Sequence, residues 1–274
     1  MKSLLDKIEE TKVFLSSKVN NNYPFGIILG SGLGNLTNEI SEHVKIPYSE
    51  IPNFPVSTVQ GHSGSLIFGE LGGKNIVAMS GRFHYYEGYS MQEVTFPVRV
   101  MKALGVHTLL VSNASGGMNP AFEVGDLMIL TDHIYLQPEH PLRGKNYEEL
   151  GPRFPNMNNA YNPMLVKKAL AIAVENDITC HTGIYVGVQG PTFETPAEYK
   201  MFHIIGGDVV GMSTTPEVVV ARHGGMEVFA ISVVSDMGYP PEKADKVTHD
   251  FVLKKAAEAE PKMTKIIIEL LRDI

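Results

Sequence analysis

The chain has 274 residues, with 23 Lys and Arg against 30 Asp and Glu, a formal net charge of −7. Hydrophobic residues make up 43% and charged residues 19%, an ordinary globular composition with material for a large core. The acidic balance argues against a nucleic-acid binder but leaves room for an anionic ligand held by a few local cations. The single cysteine, Cys180, excludes an internal disulfide and a multi-cysteine zinc site, and fits a reducing compartment.

The charged N-terminus lacks the apolar stretch of a signal peptide. No run reaches the ~18 apolar residues of a membrane-spanning helix. A soluble cytoplasmic protein is expected. The first element is an amphipathic helix over residues 4–15, with Leu4, Ile8, Thr11 and Leu15 on one stripe and Ser3 as its N-cap. Short apolar runs follow at Gly26–Leu29, Ile76–Met79, Thr108–Val111, Leu127–Leu130, Ile184–Val186, Asp208–Val210 and Val228–Val234. Continuous apolar runs suit strands buried on both faces. Helices are predicted between them at about 92–104, 161–176, 196–205, 216–224 and 249–272. Thr195-Pro196-Ala197-Glu198 combines a cap, an N1 proline and a capping-box glutamate, and Thr215-Pro216-Glu217 repeats the cap and proline. The alternation predicts an α/β fold with a central mixed or parallel sheet flanked by helices. No linker or compositional shift divides it, so one domain over 1–274 is expected, with residues 137–163 as a long functional loop.

Ligands of such sheets gather at the carboxyl ends of strands, so the segments after the apolar runs are the candidates. Gly30-Ser31-Gly32-Leu33-Gly34 can turn backbone N–H groups toward an anion. Asn35 replaces the third glycine of a dinucleotide fingerprint, and no Gly-Lys pair makes it a Walker loop. A plain tight turn explains it equally well. In Gly81-Arg82-Phe83-His84-Tyr85-Tyr86-Glu87-Gly88, an extended chain would put Arg82, His84 and Tyr86 on one side. The guanidinium there suits phosphate. Ser112-Asn113-Ala114-Ser115-Gly116-Gly117 reads as a small-residue loop that a flat ligand could approach. Gly190-Pro191-Thr192-Phe193-Glu194 offers a ring and a carboxylate, although Glu194 could simply serve the next helix's N-terminus. Ser213 precedes another helix start, a natural anion site. Met212 could be core, Asp236 ends the last strand, and His249 opens the last helix.

Taken together, these segments, with Gly61-His62-Ser63-Gly64, resemble the trimeric purine nucleoside phosphorylases, with six motifs in family order. The resemblance implies a single α/β domain, a homotrimer, purine salvage, and no metal or organic cofactor. It implies reversible phosphorolysis, in which a purine nucleoside and orthophosphate give free base and ribose 1-phosphate. By matching position, Ser31, His62, Arg82, His84, the Ala114 N–H and Ser213 would meet phosphate. Tyr86 and Met212 would meet the ribose, and His249 the 5′-hydroxyl. Phe193, Glu194 and Asp236 would meet the base, and Phe154 a neighbouring subunit's site. Catalysis would fall to His84, Glu194, Asp236 and His249.

The chain departs from the family pattern at Ser115, where alanine is common, and at Asp236, where 6-oxopurine enzymes carry asparagine. Glu194 suits a base with N1–H, whereas an ionised Asp236 suits a 6-amino group. Either Asp236 is protonated, favoured by burial beside a second carboxylate, or the range widens to adenosine. A methylthioadenosine phosphorylase is the nearest alternative, favoured by Asp236 and opposed by Glu194 and His249. A dinucleotide-dependent oxidoreductase and a non-catalytic nucleoside-binding protein are remoter ones.

Overall fold

The computed structural model describes residues 2–19, 22–56, 64–244 and 247–274. In chain order the elements are α1 (Leu4–Ser16), β1 (Phe25–Ile28), β2 (Ser41–Pro47), β3 (Ser65–Leu71), β4 (Lys74–Ser80), α2 (Met91–Val94), α3 (Phe96–Ala103), β5 (Thr108–Gly117) and β6 (Leu127–Tyr135). Then come α4 (Pro163–Glu175), β7 (Cys180–Gly187), α5 (Pro196–Ile204), β8 (Val209–Gly211), α6 (Thr215–His223), β9 (Glu227–Met237) and α7 (His249–Asp273).

The strands form one mixed sheet in the order β2-β3-β4-β1-β5-β8-β7-β6-β9, and a further β5–β9 pairing brings its second half back on itself. β1 runs parallel to both β4 and β5, and β5 parallel to β9, so four adjacent strands end on the same side.

The uninterrupted apolar runs have a simple cause. Ile28, Val77, Met79, Leu109, Val111, Val228 and Ala230 face one core layer with α1, α3 and α6. Their neighbours Ile27, Leu29, Ile76, Ala78, Leu110, Phe229 and Ile231 face the other, with α4 and α7. Period-two alternation puts successive side chains on opposite faces, and both faces are covered.

The expected first helix is present. Ser3 Oγ accepts from Asp6 N at 3.2 Å while the Asp6 carboxylate accepts from Ser3 N at 2.9 Å, a capping box. The Thr195 box on α5 is equally complete. The second expected cap is displaced. Thr215 is the first helical residue, and the cap position belongs to Thr214 at φ 64°, whose side chain does not bond the helix. Sequence reading also misses β2 and β3, which pair antiparallel with each other, β3 pairing antiparallel with β4 as well. Gly72 and Gly73 close the β3–β4 hairpin with positive φ at both positions, the requirement of a tight hairpin turn. Among the described residues no helix is long and apolar enough to cross a membrane.

Candidate active site

The carboxyl ends of β1, β4, β5, β8 and β9 surround a cleft of about 340 Å³, in the size range of small-ligand sites. It brings together Ser31, Arg82, His84, Tyr86, Ala114, Phe193, Glu194, Met212, Ser213, Asp236 and His249, residues drawn from segments as far apart as 31 and 249. Among the described residues, one expected site residue is not there. Phe154 is 87% exposed on the long loop, away from this cleft. His62 lies outside the described residues.

One end is cationic and hydroxylic. Gly30 leaves β1 against β5, where a Cβ would meet Asn113 Cα and Ser112 O at 2.8 Å. The close approach needs glycine there and carries Ser31 to the cleft. From the opposite side, Glu260 of α7 anchors the loop's far end, accepting from Leu36 N at 3.0 Å and Asn35 Nδ2 at 2.8 Å. Burial pushes its carboxyl up, against the pull of those bonds.

Arg82 is buried and its guanidinium is held by the protein. Nη1 donates to Ser213 Oγ at 2.8 Å, Thr214 Oγ1 at 3.1 Å and Glu217 Oε2 at 3.3 Å, and Nη2 donates to the Ser112 carbonyl. Thr214, a β-branched residue in the left-handed region, is fixed there by Arg82 and by Asn113 Nδ2 at 3.0 Å. Strain of this kind persists where surrounding bonds over-determine it, commonly beside a ligand. Arg82, Glu217, Thr214 and Asn113 thus form a scaffold that aims Ser213 into the cleft.

The chain stays extended through His84 and then coils into a short 3₁₀ turn over Tyr85–Glu87, so the expected one-sided extended segment ends early. The cause is Glu87, whose carboxylate accepts from His84 N at 2.8 Å and meets Nδ1 at 3.1 Å. Tyr86 therefore stacks on His84, ring centroids 4.7 Å apart, and both still face the cleft. Burial lowers His84 below the ordinary imidazole range, with Glu87 opposing it. A neutral imidazole with Nδ1–H on Glu87 presents Nε2 as an acceptor.

The other end is carboxylic. Asn113–Gly117, expected as a loop, is instead the last half of β5, paired with β9 and, at Gly116 and Gly117, with β8. Its small residues let Asp236 and Tyr199 come close; a Cβ on Gly116 would meet Tyr199 Oη at 2.6 Å. Asp236 is buried, with Oδ1 at 2.7 Å from Ser235 Oγ and Oδ2 at 3.2 Å from Tyr199 Oη. Half-buried Glu194 faces the same cleft, and burial, with Asp236 and Glu198 adding to it, pushes its carboxyl up to about 7. Phe193 lies beside it, and His249, just after the N-cap Thr248, closes the cleft from α7.

Sequence reading passed over Tyr199, Glu217 and Glu87. Nothing local marks Tyr199 within α5 or Glu217 in the first turn of α6 as part of a site. Glu87 carried a usable signal: it stands three residues after His84, the spacing of a capping box.

Comparison with known proteins gives the same grouping. A family model described as "Phosphorylase superfamily" matches residues 24–272. Purine nucleoside phosphorylase 1 of Geobacillus stearothermophilus is 50% identical over 267 residues, 97% of either chain. The structure of a Schistosoma purine nucleoside phosphorylase with hypoxanthine superposes with a TM-score of 0.94 at 43% identity, covering 100% of this chain and 99% of that one. That of the Schistosoma mansoni enzyme with adenosine gives 0.92 at 45% identity, covering 97% and 96%. The chain belongs to the phosphorylase superfamily and, within it, to the purine nucleoside phosphorylases.

Proposed function

We propose that this chain catalyses reversible phosphorolysis of purine nucleosides, in which a phosphate oxygen bonds C1′ of the sugar as the C1′–N9 bond breaks. The observation that carries this reading is the two-ended cleft, with buried Arg82 and its hydroxyl partners at one end and paired carboxyls beside an aromatic ring at the other. Phosphate is a modest nucleophile and a purine anion a poor leaving group, so the reaction gains from a cation-like sugar, as glycoside cleavage does. The protein then has two tasks: to hold phosphate beneath the sugar and to stabilise charge developing on the base.

Ser31, Ser213, the Ala114 N–H and the Arg82 scaffold perform the first, with His62 in a supporting role. His84 accepts a phosphate proton at Nε2 and, with Tyr86 and Met212, borders the sugar. His249 holds the 5′-hydroxyl. Phe193 covers the base, Glu194 faces N1, and Asp236 faces N7 and the 6-substituent. The reaction needs no metal or organic cofactor, since orthophosphate is the co-substrate. Phe154 completes the site of a neighbour in a homotrimer, and the enzyme acts in the cytoplasm in purine salvage. One domain spans 1–274. Support for an enlarged base range comes from relatives whose structures hold adenosine and hypoxanthine.

The test is a panel of inosine, guanosine, adenosine and methylthioadenosine, each with and without phosphate. Phosphate-dependent release of hypoxanthine and guanine, with ribose 1-phosphate formed, is expected. Equal release without phosphate would make the enzyme a hydrolase, and turnover confined to methylthioadenosine would place it with that neighbouring activity.

A further inference from the structure

The chain from 136 to 162 joins β6 to α4 and contains a 3₁₀ turn over Glu148–Leu150. Loops that long are uncommon in compact domains unless they serve a function. α2 pins the first half, where Met91 N donates to Glu139 Oε2 at 3.2 Å and Gln92 Nε2 donates to the Arg143 carbonyl at 3.2 Å. Asn146 and Arg153 tie the two halves together. Asn146 Nδ2 donates to the Gly151 carbonyl at 3.2 Å, and Arg153 Nη1 to those of Leu142 at 3.2 Å and Gly144 at 3.0 Å.

Two buried side chains grip the second half. They are Arg99 of α3 and His223, the last residue of α6. Arg99 Nη1 donates to His223 Nδ1 at 2.7 Å and to the Leu150 carbonyl at 3.4 Å. A guanidinium has no acceptor, so Nδ1 carries no proton and the imidazole is neutral. Burial, and then the Arg99 charge, lower the imidazole below its ordinary range, which favours that form. Gly151 lies directly on the same helix end. A Cβ there would stand 2.0 Å from the His223 carbonyl oxygen and 2.8 Å from Nδ1, at a φ of 145°. Only glycine permits both the approach and the dihedral.

We infer that Arg99 and His223 are positioning residues that register the 148–154 segment on α3 and α6, and so fix where Phe154 stands for a neighbouring subunit. This rests on the role proposed above for Phe154. That ring is three residues beyond Gly151, at most about 11 Å of extended chain, so fixing Gly151 confines it. At 87% exposure, little else in its own chain can hold it. The first turn of α6 is held separately, by Arg82 on Glu217 at 3.3 Å. The far end of the helix can therefore lose its grip on the loop without moving the end proposed for phosphate.

The experiment follows amide hydrogen exchange over 147–154, with KM for inosine and for phosphate, in wild type, His223→Leu, His223→Asn, Gly151→Ala, Phe154→Ala and the Gly151→Ala/Phe154→Ala double variant. Leucine removes the acceptor for Arg99, whereas asparagine puts a carbonyl oxygen where Nδ1 stands. Alanine at 151 pushes the loop off α6 by changing the loop rather than the core, and so serves if His223→Leu does not fold. His223→Leu and Gly151→Ala should each speed exchange over 147–154 by about tenfold, the scale of one hydrogen bond to a charged group. Both should raise KM for inosine toward the Phe154→Ala value while KM for phosphate stays within about twofold. His223→Asn should restore both readouts, and the double variant should be no worse than Phe154→Ala alone. A merely structural role would move the two KM values together. The inference is overturned if exchange over the segment keeps its wild-type rate, if both KM values rise alike, if His223→Asn is no better than His223→Leu, or if Gly151→Ala and Phe154→Ala multiply. Faster exchange with Phe154→Ala at wild-type KM would instead overturn the role proposed for Phe154, and this inference with it.

Discussion

Arg82 Nη1 lies 3.3 Å from Glu217 Oε2, and both side chains are buried, so the cation at the end of the cleft proposed for phosphate is already balanced by the protein. A bound anion there is attracted less by a bare charge than by donors that the pair keeps in place. Taking two charges out of water is repaid only while both remain. Glu217→Ala leaves a buried guanidinium uncompensated and should cost ~3–5 kcal/mol in urea unfolding. Glu217→Gln keeps a hydrogen-bond partner and should cost less. Equal, small losses for the two variants would mean that Arg82 does not depend on the pair.

Glu260 acts on the same end from a distance. It lies on α7, yet its two oxygens hold Leu36 N and Asn35 Nδ2, just beyond the loop that carries Ser31. Glu260→Ala strands a backbone N–H and should lower stability by ~1–3 kcal/mol. Because the loop then loosens, KM for phosphate should rise while binding of free base stays the same. A loss of base affinity equal to that of phosphate would contradict this division of the cleft.

Much of the arrangement is legible in the sequence, for identifiable reasons. Strands buried on both faces read as apolar runs, and Thr195-Pro196-Ala197-Glu198 announces a helix start through local chemistry alone. β2 and β3 escape because Ser41–Pro47 carries charges along an edge and β3 is interrupted by Gly69. Residues that contact a ligand follow strand ends and can be found by that rule. Residues that hold those contacts in place cannot: Glu217 and Tyr199 act across 135 and 37 residues of chain, and no local pattern encodes such distances.

Glu194 should leave a thermodynamic trace independent of substrate. Its carboxyl is raised from 4.5 to about 7, chiefly by burial. The folded state therefore holds a proton that the unfolded state has released between those values. The stabilisation tied to that proton is full below about 4.5 and is lost as pH rises through about 7. Glutamine cannot ionise, so the Tm of Glu194→Gln minus that of wild type should increase from pH 4.5 to 7 and then level off. A difference that is flat across this window would show that Glu194 ionises normally in the folded protein.

Among the described residues, Phe154 is the expected site residue that this chain does not bring to its own cleft. It is 87% exposed, with the Arg153 guanidinium 5.8 Å from its ring centroid. An exposed aromatic on a long loop has an apolar face that a second copy can cover, and a ring reaching a neighbour's sugar or base would gain that contact only in the oligomer. Phe154→Ala should then raise KM for inosine by about tenfold, the scale of one buried aromatic contact. Mixing distinguishes action in trans from a local effect. Glu194→Ala removes the carboxyl proposed to face the base and should be nearly inactive alone. Co-expressed with Phe154→Ala, it supplies an intact Phe154 to a neighbour whose Glu194 is intact, so some sites in mixed oligomers are complete. Activity of the purified mixed species should exceed the sum of the two parents at equal concentration, and sedimentation should show trimers. Activity equal to that sum, or a fully active monomer, would place Phe154 outside the reaction.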